Sequence, residues 1–148
     1  KLQDNAQYVL GTDGTKMSKS KNNIINVFLP AKKLRKQVMS IATDSTPLDA
    51  PKDPNTCTVF ELYTLIADPT QVVEMRKNYE LGGFGYGHAK QALYEAILER
   101  FSYARSKYDH IMANPEVLEH QLQKGAVKAR RVAQQVLKRA RKNLGYTW

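Results

Sequence analysis

The sequence predicts a mainly α-helical protein, and three observations carry that expectation. From Pro30 onward, apolar residues recur at three- and four-residue intervals, the period of one helix face. The breaks between these runs fall at Pro, Gly, Asp-Pro and Asn-Pro positions, which open or close helices. No apolar run approaches the roughly 20 residues needed to cross a bilayer. With 148 residues and 42% apolar content, the chain can bury one ordinary core.

The elements follow in order. Tyr8-Val9-Leu10 reads as the end of a strand entering a Gly11 turn, and Ile24 to Leu29 is a short apolar, β-branched run. Pro30 opens a helix carrying Leu34, Val38 and Ile41 on one side. Residues Asp44 to Pro54 are a loop rich in Pro, Asp, Ser and Thr. Thr58-Val59-Phe60-Glu61 matches a capping box and starts a short helix through Ile66. Asp68-Pro69 caps the next helix, with Val72, Met75 and Tyr79 on one face, and Gly82-Gly83 stops it. Four glycines between Gly82 and Gly87 mark a tight connection where backbones come close. A long helix is expected from about His88 to Met112, striped by Leu93, Ile97, Phe101, Ala104, Tyr108 and Ile111. Asn114-Pro115 starts a shorter helix that Gly125 ends, and a last helix runs from about Ala126 to Leu144.

Charge is unevenly spread. The net charge is +9, with eight Lys or Arg against two acids in residues 1–40 and seven against twelve in residues 41–119. Residues 120–148 hold eight Lys or Arg and no acid. Two basic ends around an acidic middle suit a polyanion met at two places. On the last helix, Ala129, Val132, Ala133, Val136, Ala140 and Leu144 share one face. Lys128, Arg131, Lys138, Arg139 and Lys142 gather opposite them. Such a face is ordinarily a solvated exterior, which mixes signs; this one has no acids and suits contact with nucleic-acid phosphates. The lone Cys57 beside an apolar helix start reads as a buried structural thiol, in keeping with a reducing compartment. His88, His110 and His120 are scattered without metal-ligand spacing, so no metal site is expected.

The densest chemistry lies between Gly11 and Asn23. Gly11 and Gly14 permit tight turns, and Asp13-Gly14 is a turn pair. Lys16-Met17-Ser18-Lys19-Ser20 follows, with Lys21 close behind. Two or three ammonium groups among small hydroxyl donors, on a loop able to close and reopen, suit a polyphosphate gripped briefly. A P-loop needs four residues between its first Gly and a Gly-Lys-Ser/Thr, and here both spacing and order fail.

Lys16-Met17-Ser18-Lys19-Ser20 matches the second signature of the class I aminoacyl-tRNA synthetases. With three further stretches, the chain resembles the C-terminal half of a bacterial-type tryptophanyl-tRNA synthetase over essentially all its length. Those stretches are Leu34 to Ile41 running into Thr43-Asp44-Ser45, Asp53-Pro54-Asn55-Thr56-Cys57 leading into Leu62-Tyr63, and Gly85-Tyr86-Gly87-His88-Ala89-Lys90. The second and fourth of the four stretches point to the tryptophan branch rather than its tyrosine relative.

The resemblance implies a cytoplasmic enzyme that activates tryptophan with ATP and magnesium, releases pyrophosphate, charges tRNA(Trp), works as a homodimer and holds no permanently bound cofactor. It implies that Lys16 and Lys19 bind the phosphates, with Lys19 carrying most of the transition-state stabilisation. It implies further that Met17, Ser18 and Ser20 line the nucleotide side. On this expectation residues 1–28 are the last piece of a Rossmann-type catalytic domain with its loop at 11–23, and residues 29–148 form a helical, bundle-like anticodon-binding domain. Class I synthetases also carry a His-Ile-Gly-His-type signature, and Gly87-His88 lacks its first histidine and preceding strand. The expectation is therefore a fragment unable to form the adenylate alone. The alternatives are a helical RNA-binding module without catalysis, for which an ATP-phosphate loop has no use, or the same half of a tyrosine-specific relative.

Overall fold

A computed structural model describes residues 8–146. The chain divides into two compact units, one ending at Arg105 and the other beginning at Ser106. Among the described residues there are six helices and no strand. The expected strand at Tyr8-Val9-Leu10 is reduced to one antiparallel bridge between Leu10 and Lys16, and residues 24–29 are irregular and turn-like. Neither segment has a neighbouring extended chain to complete a ladder, so β-propensity alone does not make a strand there.

Helix α1 (Ala31–Met39) follows Pro30, whose carbonyl accepts from the Lys33 and Leu34 N–H groups at 2.8 and 3.0 Å. Its Leu34 and Val38, four apart, are both fully buried. Helix α2 (Thr58–Thr64) begins one residue earlier than its capping box requires. Thr58 is already helical, Cys57 occupies the N-cap without a capping side chain, and the Glu61 N–H bonds to the Cys57 carbonyl at 3.0 Å. Burial sets this register: the Cys57 thiol lies 3.5 Å from the Tyr79 hydroxyl in the core. Helix α3 (Pro69–Leu81) starts as expected, with a capping box in which Gln71 Oε1 accepts from the Asp68 N–H at 3.1 Å. It ends at Gly82, where φ is +76° and an added Cβ would overlap the Asp49 carbonyl.

The expected long helix is two. Helix α4 (Tyr86–Arg100) and helix α5 (Ser102–Ala113) meet at Phe101, whose dihedrals (φ −102°, ψ 10°) leave the helical region. The break falls where the buried stripe ends. Leu93 and Ile97 lie in the core, Phe101 packs against it half-buried, and no residue of α5 is buried. Conversely, the two expected last helices are one, α6 (Pro115–Asn143), 29 residues long and running through Gly125. One interior glycine costs about 1 kcal/mol relative to Ala, too little to interrupt a helix that continues on both sides. The end of α6 is a Schellman motif. The N–H groups of Gly145 (φ +82°) and Tyr146 bond to the carbonyls of Lys142 and Arg141 at 3.2 and 2.9 Å.

The core lies in the first unit, where α4 packs against α1 and α2, and α2 against α3. Tyr79 is fully buried at its centre, with the rings of Phe60, Phe84 and Tyr86 at 5.5, 6.0 and 6.1 Å. Burial pushes the Tyr79 hydroxyl far above the usual phenol range, so it stays protonated. The loop between α1 and α2 is tied to this centre. Tyr86 donates to Asp44 Oδ1 at 2.8 Å, and burial with this bond pushes Tyr86 up to about 12. Lys52, only 4% exposed, donates its ammonium to the carbonyls of Pro47, Leu48 and Ala50 at 3.0, 3.2 and 3.1 Å and sits 5.4 Å from the Tyr86 ring centre.

Candidate functional site

The Gly11–Asn23 loop is built from the two glycine-permitted turns upward. The Gly14 N–H bonds to the Gly11 carbonyl at 3.1 Å with Gly14 at φ +76°, closing a four-residue turn. The chain then doubles back on itself: the Gly11 N–H bonds to Thr15 O at 2.7 Å and the Met17 N–H to Val9 O at 2.8 Å. Asp13 accepts from the Thr15 N–H at 2.9 Å and from the Thr15 hydroxyl. A second turn follows, with the Asn22 N–H on Lys19 O at 3.2 Å and Asn22 at φ +53°, a conformation Asn tolerates better than most residues.

These turns leave the cationic groups on the outside. Lys16, Lys19 and Lys21 are exposed, and Lys21 Nζ reaches the Thr15 hydroxyl at 3.1 Å. The Ser18 and Ser20 hydroxyls lie 2.8 Å apart, with Ser20 exposed and Ser18 half-buried. Among the described residues no ion pair involves Lys16 or Lys19, so both ammonium groups are available to an anion. Met17, which the resemblance implies on the nucleotide side, has an apolar setting instead. It is half-buried and lines an apolar cavity of about 290 Å³ with Val9, Ile25, Val27, Leu93 and Phe101. One loop thus presents cations and hydroxyls outward and seats an apolar side chain inward.

One member of the loop was not legible in the sequence. Asn23 is 2% exposed and bonds to Asp13, Lys16 and Ser18. The bond from the Asn23 amide, followed by that from the Thr15 N–H, holds the Asp13 carboxyl below the usual carboxylate range. The only signal available was the Asn22-Asn23 pair closing the loop. Sequence reasoning also missed two ties outside it. Gln37 of α1 donates to Ile24 O at 2.6 Å and accepts from the Asn26 N–H at 2.9 Å, and the Arg105 guanidinium donates to Val27 O.

The basic residues of α6 lie in the second unit. Lys128, Arg131, Lys138, Arg139 and Lys142 are all exposed. So are the apolar residues opposite them, with Val132 at 58% and Val136 at 50% exposure. A cavity of about 410 Å³ beside the α6 terminus is lined by Leu137, Ala140, Arg141, Leu144 and Tyr146. Among the described residues no helix is long and apolar enough to cross a membrane.

Comparison with known proteins gives a consistent result. The family model described as "tRNA synthetases class I (W and Y)" matches residues 5–102. The tryptophan–tRNA ligase of Rhodopirellula baltica is 47% identical over 137 residues, which are 93% of this chain and 43% of that protein. The tryptophan–tRNA ligase of Fusobacterium nucleatum is 44% identical over 142 residues, 96% of this chain and 43% of that protein. Among solved structures, tryptophanyl-tRNA synthetase from Campylobacter jejuni complexed with ADP and tryptophan superposes with a TM-score of 0.91 at 41% identity, over 97% of this chain and 45% of that one. The chain therefore spans less than half the length of these relatives. All three are tryptophan enzymes, which disfavours the tyrosine-specific alternative.

Proposed function

The chain belongs to the class I tRNA synthetases of the tryptophan and tyrosine group, and from that premise we propose that it is the C-terminal half of a tryptophan–tRNA ligase. In the whole enzyme a tryptophan carboxylate oxygen attacks the α-phosphorus of ATP. The bond between the α-phosphorus and the bridging oxygen breaks and pyrophosphate leaves; a terminal ribose hydroxyl of tRNA(Trp) then attacks the acyl carbon of the tryptophanyl adenylate, and AMP leaves.

The observation that carries this reading is the outward display of Lys16 and Lys19, with the Ser18–Ser20 hydroxyl pair, on a loop whose backbone is closed by its own turns. The two ammonium groups bind the β- and γ-phosphates and neutralise the charge that builds on departing pyrophosphate, with Lys19 carrying the larger share. Ser18 and Ser20 donate to phosphate oxygens, and Met17 seats the loop from its apolar side. Among the described residues no group of three or more His, Cys, Asp or Glu side chains is placed to hold a metal ion. Magnesium would enter with ATP and supply positive charge to its phosphates.

By role, residues 1–28 close the nucleotide-binding catalytic domain and residues 29–148 form the helical domain that engages the tRNA anticodon arm. The acid-free face of α6, with Lys128, Arg131, Lys138, Arg139 and Lys142, contacts the tRNA backbone. The parent enzyme is a cytoplasmic homodimer. The half represented here lacks the first class I signature and makes no adenylate alone.

The test is Lys19→Ala in the full-length enzyme. The kcat of tryptophan-dependent ATP–pyrophosphate exchange should fall about 10²- to 10³-fold, as for loss of a single transition-state donor, with tryptophan affinity unchanged. An unchanged kcat, or a loss of tryptophan binding equal to the loss of rate, would return Lys19 to a structural role.

A further inference from the structure

We propose that Asn23 is the positioning residue of the loop, setting the spacing and direction of Lys16 and Lys19 through one side-chain amide. The inference rests on the reading of those lysines as phosphate ligands.

Buried polar side chains are rare in this molecule. Asn23 and Lys52 are the two among the described residues, and only Asn23 lies at the loop. Its amide is divided among three parts of the loop. Nδ2 donates to Asp13 Oδ1 at 2.7 Å and to the Lys16 carbonyl at 3.2 Å, while Oδ1 accepts from the Ser18 N–H at 2.8 Å. The two backbone bonds flank Met17, between one phosphate lysine and the approach to the other. The planar amide thus fixes the peptide groups on both sides of Met17 relative to each other. The Asn23 carbonyl also accepts from the Thr12 N–H at 2.9 Å, and the Thr12 carbonyl from the Ala42 N–H at 2.7 Å, so the frame is anchored beyond α1. Gly11 completes the seat, since a Cβ there would overlap the Asn23 side chain.

The chemistry selects an amide. Asp13 and the Lys16 carbonyl both require a donor, and the Ser18 N–H requires an acceptor, so one group must offer both from fixed positions. Aspartate has the same shape but puts an acceptor oxygen in place of Nδ2, facing the Asp13 carboxylate and the Lys16 carbonyl. Alanine removes all three bonds, leaving Asp13 only those from Thr15. Either change frees the lysines to sample positions away from the phosphates, and a displacement near 1 Å can cost about 10²-fold in rate.

The experiment is a double-mutant cycle in the full-length enzyme, combining Asn23→Ala with Lys19→Ala and reading pyrophosphate-exchange kcat, tryptophan KM and Tm. Asn23→Ala alone should lower kcat about 10²-fold with tryptophan KM unchanged. In that background Lys19→Ala should cost at least tenfold less than it does in the parent, because a misplaced ammonium has little left to lose. If the two losses multiply, or Asn23→Ala leaves kcat intact while Lys19→Ala lowers it, the positioning role is overturned and the phosphate role of Lys19 stands. If Lys19→Ala itself changes nothing, the phosphate reading fails first. Should Asn23→Ala unfold the protein, Asn23→Asp preserves the volume and the Ser18 acceptor and must show the same coupling; full activity in Asn23→Asp overturns the inference.

Discussion

The first unit and helix α6 are both amphipathic by sequence, yet the structure treats them differently. Leu34 and Val38 of α1 are fully buried, and their helix packs on α4. Val132 and Val136 of α6 stand at the same four-residue spacing, more than half exposed and half exposed respectively, and no residue of that helix is buried. An apolar stripe therefore reports that a helix has a side meant for contact, while saying nothing of what lies against it. In a chain spanning 43% of its relatives' length, that distinction decides which residues hold this part together.

The largest contrast should come from shaving each face in turn. Leu34→Ala should destabilise the 148-residue chain by about 3 kcal/mol in urea unfolding. Val136→Ala should change it by less than about 0.5 kcal/mol. Similar losses at both sites would erase the contrast.

Next comes the loop beneath the core. Lys52→Met keeps much of the side-chain length but strips three carbonyls of their shared donor, and should cost about 2 kcal/mol by the same measurement. A neutral result would show that water replaces the ammonium there. On the other side of the comparison, Arg131→Ala with Lys138→Ala should leave stability alone. In the full-length enzyme the pair should weaken tRNA(Trp) binding and flatten its dependence on log salt by between about one and two. An unaltered slope would make that face a solvated exterior. Last is Gly125→Ala, where nothing lies within 4 Å of the added methyl, so helix propensity acts alone. It should strengthen α6 by up to about 1 kcal/mol, seen as a higher melting temperature of its circular dichroism signal.

Much of the fold was legible because helix ends are written locally. Asp68-Pro69, Asn114-Pro115 and Gly82 stand where the structure begins or ends a helix, and each acts within a turn of its own position. What was misread depended on neighbours. Gly125 looked like a stop because it is one in isolation, and the break at Phe101 is invisible because the stripe continues in sequence after burial has ended. Thr58 lost its capping role to the burial of Cys57 beside Tyr79, twenty-two positions away. At the candidate site the lysines and serines were legible as a motif, since their chemistry faces outward. Asn23 was not, because its partners reach back up to ten positions and nothing in its identity distinguishes it from Asn22 beside it.

The segment between α1 and α2 has a consequence for how the molecule comes apart. It contains no helix, and by secondary structure alone it is the natural place for a protease to cut. Yet Lys52 N–H bonds to Tyr79 O at 2.8 Å, Gly83 N–H to Leu48 O at 3.1 Å, and Lys52 Nζ closes the turn from within. A protease must draw out an extended strand, and extracting this one means releasing Tyr79, the centre of the core. Cleavage there should therefore require these ties to open first, whereas α6, helical throughout but with no buried side chain, can be opened a turn at a time.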